Sequence, residues 1–210
     1  MVSENQQVLN IAAYKFVALD DLADLRNSIR KMGQSLGLKG SILLSPEGIN
    51  MFLAGVPQPM QEMLDYLRSD SRFADLEVKE SWTAHQPFRR FLVKLKKEII
   101  AFGVDGIQPE AYTSPRVSAK ELRSWLKEGR QVRLLDVRND YEIEVGTFAD
   151  AEAIGVDHFR DFPEAVENLP EDWKQVPVVT FCTGGIRCEK PLPIWKRWAS
   201  SRFINLMVES

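Results

Sequence analysis

Apolar residues follow one another with few breaks in VLNIAAYKFV, residues 8–17, which predicts a strand buried in a sheet. DLADLRNSIRKMGQSLG then carries its apolar residues at helical intervals up to a glycine stop, which predicts a helix. The strand GSILLS, the turn PEGIN, the strand MFLAGV, the helix PMQEMLDYLRSD and the strand RRFLVKLKKEII come next. The order β-α-β-β-α-β is that of a ferredoxin-like sandwich, in which a pair of helices lies on one face of an antiparallel sheet of about four strands.

The pattern then breaks. FGVDGIQPEAYTSPR mixes Gly, Pro and polar residues without a period and reads as a linker. SAKELRSWLKEG opens with Ser118 and Glu121 at capping-box spacing and predicts a helix. VRLLDVR reads as a buried strand, DFPEAVENL as a helix and VPVVTFC as another strand. Strands alternating with helices point to a parallel sheet. The expectation is therefore α+β followed by α/β: a ferredoxin-like, acylphosphatase-like domain over residues 1–102, a linker over 103–116, and a parallel-sheet domain over 117–210.

Composition narrows the partners. With 44% hydrophobic and 27% charged residues, this is the makeup of an ordinary soluble globular protein. A net charge of −3 means that a nucleic acid would have to be held by a local basic patch. The start MVSENQQVLN lacks the apolar centre of a signal peptide, and no run approaches membrane-spanning length, so no membrane partner and a cytoplasmic location are expected. The only cysteines, Cys182 and Cys188, lie too close in sequence for a structural disulfide to be expected in that compartment. His85 and His158 stand alone, without metal-ligand spacing.

Cys182 ends the apolar run VPVVTF, and in open α/β sheets ligands bind beyond the carboxyl ends of the strands. A helix should follow it. The backbone N–H groups of Thr183, Gly184, Gly185, Ile186 and Arg187 can then curl round the sulfur as an anion nest, the glycines supplying left-handed backbone angles. Those donors and the Arg187 guanidinium favour thiolate, the nucleophilic form. The alternative is a small apolar cysteine buried at a strand end. Loop length separates chemistries: CTGGIR is one residue shorter than the C-x-x-x-x-x-R loop of cysteine phosphatases. The tighter ring suits a sulfur-sized anion, the rhodanese arrangement.

The stretches YKFVALDDLADLR, GLKGSILLSPEGIN, FRRFLVKLKKEII, LLDVRNDYEIEVGTF and FCTGGIRCEK extend this likeness over most of residues 8–190. The chain resembles the rhodanese-domain tRNA uridine hydroxylases. The resemblance implies hydroxylation of the wobble uridine of tRNA to 5-hydroxyuridine, with molecular oxygen as cosubstrate and Cys182 as the active-site residue. No flavin, haem or metal motif is evident, and no stable protein partner is inferred. The family usually reads EGINGT where this chain reads EGINMF, so Met51 replaces a glycine near the predicted turn, and no role is carried over to it.

Other residues keep two readings. Strand alternation puts Arg90, Lys94 and Lys96 on one face with Leu92, either a grip on tRNA phosphates or a solvated sheet face. The resemblance favours RNA, held between the two domains. Asp136 and Arg138 either set the loop's charge or form a structural ion pair. Cys188 either resolves an oxidised Cys182 or is buried, burial being favoured. Trp125 and Trp173 are expected in the core. Two further functions stay open: a sulfurtransferase with a persulfide on Cys182, and an inactive RNA-binding protein.

After Lys190 the resemblance stops. The family continues through a helix to an ending like YQLDGGI, whereas this chain reads PLPIWKRWASSRFINLMVES. Pro191 and Pro193 fall where the loop's helix should run, and proline inside a helix costs roughly 3 kcal/mol. Read one base earlier, the Trp195–Lys196, Trp198–Ala199 and Met207–Val208 junctions spell GAA, GGC and GGT, for glutamate and two glycines. The expectation is that a base was lost near the Glu189 and Lys190 codons. The rhodanese-like domain would then be C-terminally incomplete, lacking its last strand and helix, poorly stable and inactive.

Overall fold

The computed structural model describes residues 7–104, 106–107, 109, 114–191, 194–195 and 203–207. The chain divides into two units between Ile99 and Ile100. In the first, β1 (Val8–Phe16), α1 (Leu22–Ser35), β2 (Lys39–Ser45), β3 (Gly48–Gly55), α2 (Pro57–Arg68), β4 (Lys79–Thr83) and β5 (Phe91–Leu95) follow in order. The sheet has five strands, ordered β4-β1-β3-β2-β5. The ferredoxin-like order is present, but its last strand is β4, not the predicted 89–100 segment. KESWT has no apolar run to betray it. This edge strand is nearly all exposed, and it is held by antiparallel backbone pairing to β1. The predicted strand survives as the short β5, which lies parallel to β2 on the other edge.

Leu25 and Ile29 of α1 and Met60, Met63, Leu64 and Leu67 of α2 join Leu9, Ile11, Ile42, Ile49 and Leu53 of the sheet in one core. Each such side chain, fully buried, stabilises the fold by about 1.5–3 kcal/mol. Met51 lies in this core on β3, beyond the turn in which its substitution for glycine drew notice. The turn itself needs Gly48: its φ is +143°, and a Cβ there would lie 2.0 Å from the Lys15 carbonyl oxygen.

The second unit contains β6 (Arg116–Val117), α3 (Ala119–Lys127), β7 (Arg133–Asp136), α4 (Asp140–Ile143), β8 (Ala151–Ala153), α5 (Phe162–Glu167), β9 (Val178–Phe181), α6 (Ile186–Glu189) and β10 (Phe203–Leu206). Its five strands are all parallel, in the order β6-β10-β9-β7-β8. The Ser118 hydroxyl caps α3 by accepting the Glu121 N–H at 3.1 Å, as the sequence predicts. Trp173 is buried and Trp125 packs partly buried on a smaller cluster of the same sheet. No helix among the described residues is long and apolar enough to cross a membrane.

Two boundary expectations are corrected. Phe102, placed in the first domain by its sequence, is buried against Phe159 and Phe162 of the second unit, with ring centroids 5.1 and 5.9 Å away. Val104 and Ile107 pack on the same core, so described parts of the supposed 103–116 linker are anchored chain. Part of that segment lies outside the described residues. The sheet also does not lack its last strand: β10 sits between β9 and β6. Phe203 and Leu206 are buried, and the Asn205 side chain accepts the Thr180 hydroxyl at 3.0 Å. Trp195 stacks on Phe203 at 3.9 Å and meets Phe162 edge-on at 5.0 Å. A short apolar run fills the slot whether or not it resembles the expected ending. Helix α6 stops at Glu189, before Pro191, which has no N–H to continue it. Pro193 lies outside the described residues.

Candidate active site

Strand β9 is buried along its whole length and delivers Cys182, itself only 5% exposed, to the carboxyl end of the sheet. The next residues turn back sharply. Gly185 takes the left-handed conformation, φ +88°, and its N–H donates to Cys182 Sγ at 3.1 Å. A Cβ at that angle would be strained, which is why glycine is needed there. Of the amides expected round the sulfur, those of Gly185 and Arg187 act on it. Thr183 is exposed, Gly184 half-buried and Ile186 buried.

The Cys182 thiol is drawn down from 9.0 to about 6. The hydrogen bond from Cys188 is the chief cause; burial opposes it, and the Arg187 charge and the two amides add to it. Cys188 moves the other way, well above its ordinary range, because its proton is held against the Cys182 sulfur and because it too is buried. One thiol is thereby the anion and its neighbour the donor, a role that simple burial of Cys188 did not foresee.

Arg187 is fixed by a residue the sequence reading missed. Its guanidinium donates Nη1 and Nη2 to the Glu142 carboxylate at 2.5 and 2.7 Å, and the Thr183 hydroxyl donates to the same carboxylate at 2.7 Å. Burial pushes Glu142 up, but the Arg187 and Thr183 hydrogen bonds outweigh it and hold it at about 2. Burial likewise lowers Arg187, and the Glu142 hydrogen bonds, with the Cys182 and Glu142 charges, more than restore it. Glu142 thus orients the cation, and the cation faces the sulfur. One signal was available: Asn139 and Glu142 have capping-box spacing, and the Asn139 N–H donates to the Glu142 carboxylate at 3.2 Å.

Asp136 and Arg138 form a structural ion pair. Asp136 is fully buried, and Arg138 donates to it from its backbone N–H at 3.1 Å and from Nε at 2.9 Å. The Thr147 hydroxyl donates to the same carboxylate at 2.8 Å, and Arg138 Nη2 donates to the Gly146 carbonyl at 2.7 Å. The pair therefore pins the segment that carries Glu142. Behind the loop, buried Glu189 pairs with Arg116 at 2.8 Å, and buried Lys190 donates to the Ile100 carbonyl at 2.9 Å. Neither tie could be read from the sequence, since the partners are distant in the chain. Arg90, Lys94 and Lys96 belong to the other unit, exposed on and beside β5. His85 and His158 are exposed, and among the described residues no three His, Cys, Asp or Glu side chains are grouped to hold a metal ion.

A nucleophilic sulfur in a six-residue cradle, with a clamped arginine beside it, can attack an electrophile or carry a sulfur atom. Residues 8–99 match the UPF0176 acylphosphatase like domain and residues 118–207 the Rhodanese-like domain. A human single-domain sulfurtransferase of solved structure covers 44% of this chain and 88% of its own, at 29% identity and a TM-score of 0.35. The tRNA uridine(34) hydroxylase of Variovorax paradoxus is 53% identical over 190 residues, covering 88% of this chain and 72% of the relative. That of Cupriavidus necator is 50% identical over 189 residues, covering 88% and 67%. With both family domains in order and half the residues shared over 88% of the chain, the chain belongs to the tRNA uridine(34) hydroxylase family.

Proposed function

We propose that this chain hydroxylates the wobble uridine of tRNA to 5-hydroxyuridine in the cytoplasm, with molecular oxygen as cosubstrate and Cys182 as the reactive residue. The 53% identity to a relative of that name carries the assignment. The site supports it physically: with its pKa drawn to about 6, Cys182 is largely thiolate at neutral pH. A single-stranded anticodon loop can splay a base out to meet it. The test is mass spectrometry of tRNA nucleosides from gene-deleted cells carrying the intact gene or Cys182→Ser. Restoration of 5-hydroxyuridine by the intact gene alone is expected; restoration by both would remove Cys182 from the chemistry. The tight CTGGIR cradle also favours a second function, transfer of sulfane sulfur from a persulfide on Cys182. Loss of a thiolated nucleoside in the deletion strain, with 5-hydroxyuridine unchanged, would decide for it.

A further inference from the structure

One face of the first unit's sheet carries α1 and α2; the other carries no helix among the described residues, and although Asn50 on it is buried and donates to the Ile99 carbonyl at 3.0 Å, its central row is open and can be read across the strands from the register. Lys79 on β4, Ala12 on β1, Phe52 on β3, Ser41 on β2 and Leu92 on β5 stand opposite one another in a single row. Phe52 is 47% exposed at the middle of this row. Its two direct neighbours are small, so they leave the flanks of its ring open. Tyr14 and Phe16 lie on the same face of β1, half-buried, their rings 6.1 Å apart edge-to-face.

Charge on this face has one sign. Lys39 and Lys94 stand on it with Lys79, Arg90 and Lys96 continue it just outside β5, and none of its strand residues is acidic. The whole chain, by contrast, has a net charge of −3, so the segregation runs against its composition. Lysines on β4 and β5 alone would be explained by protection of exposed sheet edges. An exposed phenylalanine on a central strand is not, because it protects no edge.

We propose that this open face is a stacking platform for single-stranded RNA: an unpaired base lies on Phe52, and the basic residues toward both edges take the flanking phosphates. Any base offers a π-face to such a ring, so stacking gives affinity without sequence readout, and lysines add a salt-dependent grip on the backbone. Aromatic side chains on a four-stranded sheet that stack about two or three bases are a recurring solution to this recognition problem. Rows two residues apart along a strand are roughly 6.8 Å from each other, so half-buried Tyr14 and Leu43, one row from Phe52, are within reach of an adjoining nucleotide. The proposal rests on tRNA being the substrate and adds where its unpaired nucleotides are held.

Binding of a fluorescently labelled anticodon stem-loop RNA to the full chain, followed by anisotropy, tests this. Phe52→Ala should weaken binding about ten-fold while leaving the circular dichroism spectrum and melting unchanged, and Phe52→Tyr, which keeps the ring, should restore it. A Lys39→Gln/Lys94→Gln double variant should flatten the salt dependence. Equal binding by Phe52→Ala and the natural chain would overturn the platform. The substrate assignment would then stand or fall separately by the nucleoside measurement. A copurifying protein released by Phe52→Ala with RNA binding untouched would assign the face to a protein and likewise overturn the proposal. If no RNA bound the natural chain at all, both readings would fall.

Discussion

The cysteine loop of the second unit and the open sheet face of the first are both built for negative charge, by opposite means. The loop holds one sulfur anion in a buried cradle of two backbone amides, a neighbouring thiol and one arginine that is itself clamped by Glu142. The sheet face spreads half-buried and exposed cations around an aromatic ring. In a buried site each partner is worth more, and removing one strands the others; at an exposed face each charge is screened and contributes little by itself. Sensitivity to single substitutions should therefore be steep in the loop and shallow on the sheet.

The largest effect is expected at the sulfur. Cys182→Ser exchanges a thiol already ionised near neutrality for a hydroxyl that is not, and should lower 5-hydroxyuridine formation by about 1,000-fold or more with the circular dichroism spectrum of the fold unchanged. Residual activity above a few per cent, measured on purified tRNA, would break the comparison outright.

Next comes the buried Asp136–Arg138 pair. Asp136→Ala leaves Arg138 with its main counter-charge gone in a mostly buried site, and should destabilise the second unit by about 3–5 kcal/mol in urea unfolding. A loss below about 1 kcal/mol would mean that this pair behaves like a surface one.

Arg187→Ala should have a smaller and more specific effect. Cys182 is lowered to about 6, so its thiolate, and its rate of alkylation by iodoacetamide, rises through that pH and is near its plateau at pH 7. Removal of the cation moves the midpoint upward and should slow alkylation at pH 7 by several-fold, about ten-fold at most. The sign carries over to stability. A folded pKa below the ordinary value contributes stability that is complete at alkaline pH and lost as pH falls through about 6, and this loss should shrink in the variant. An unmoved midpoint would leave Cys188 and the amides as the whole cause.

The smallest effect belongs to the sheet. Lys94→Gln should weaken RNA binding by only about two- to three-fold and change stability by less than about 0.5 kcal/mol. A loss as large as that of Phe52→Ala would show that this face acts through one specific contact instead of a distributed field.

Much of the second unit's site was legible because the signals are local. A buried apolar strand, a cysteine at its end, a glycine that can turn left-handed and an arginine five positions on all lie within VPVVTFCTGGIR. The clamp on that arginine was not legible: Glu142 is separated from Arg187 by 45 positions and looks from sequence like a helix-capping residue. In the first unit, the strand KESWT was passed over because it buries almost nothing, and hydrophobic pattern reports burial, not backbone pairing. The tail misled in the opposite direction. Its departure from the expected ending suggested a missing strand, yet Phe203–Leu206 has the apolar character that the slot between β9 and β6 requires.

By itself, then, the sequence determined the fold class of each unit, the place of the thiol at a strand's carboxyl end and the short loop around it. These follow from periodicity, caps and turns, which act over a few residues. Only the tertiary structure decided which polar groups meet: Glu142 with Arg187, Asp136 with Thr147, Glu189 with Arg116. It also decided that Phe52, Lys79 and Lys39 share one open face, because strand register aligns residues that the chain keeps far apart. Electrostatic tuning depends on distance in space and on burial, and neither is a property of neighbours in the chain.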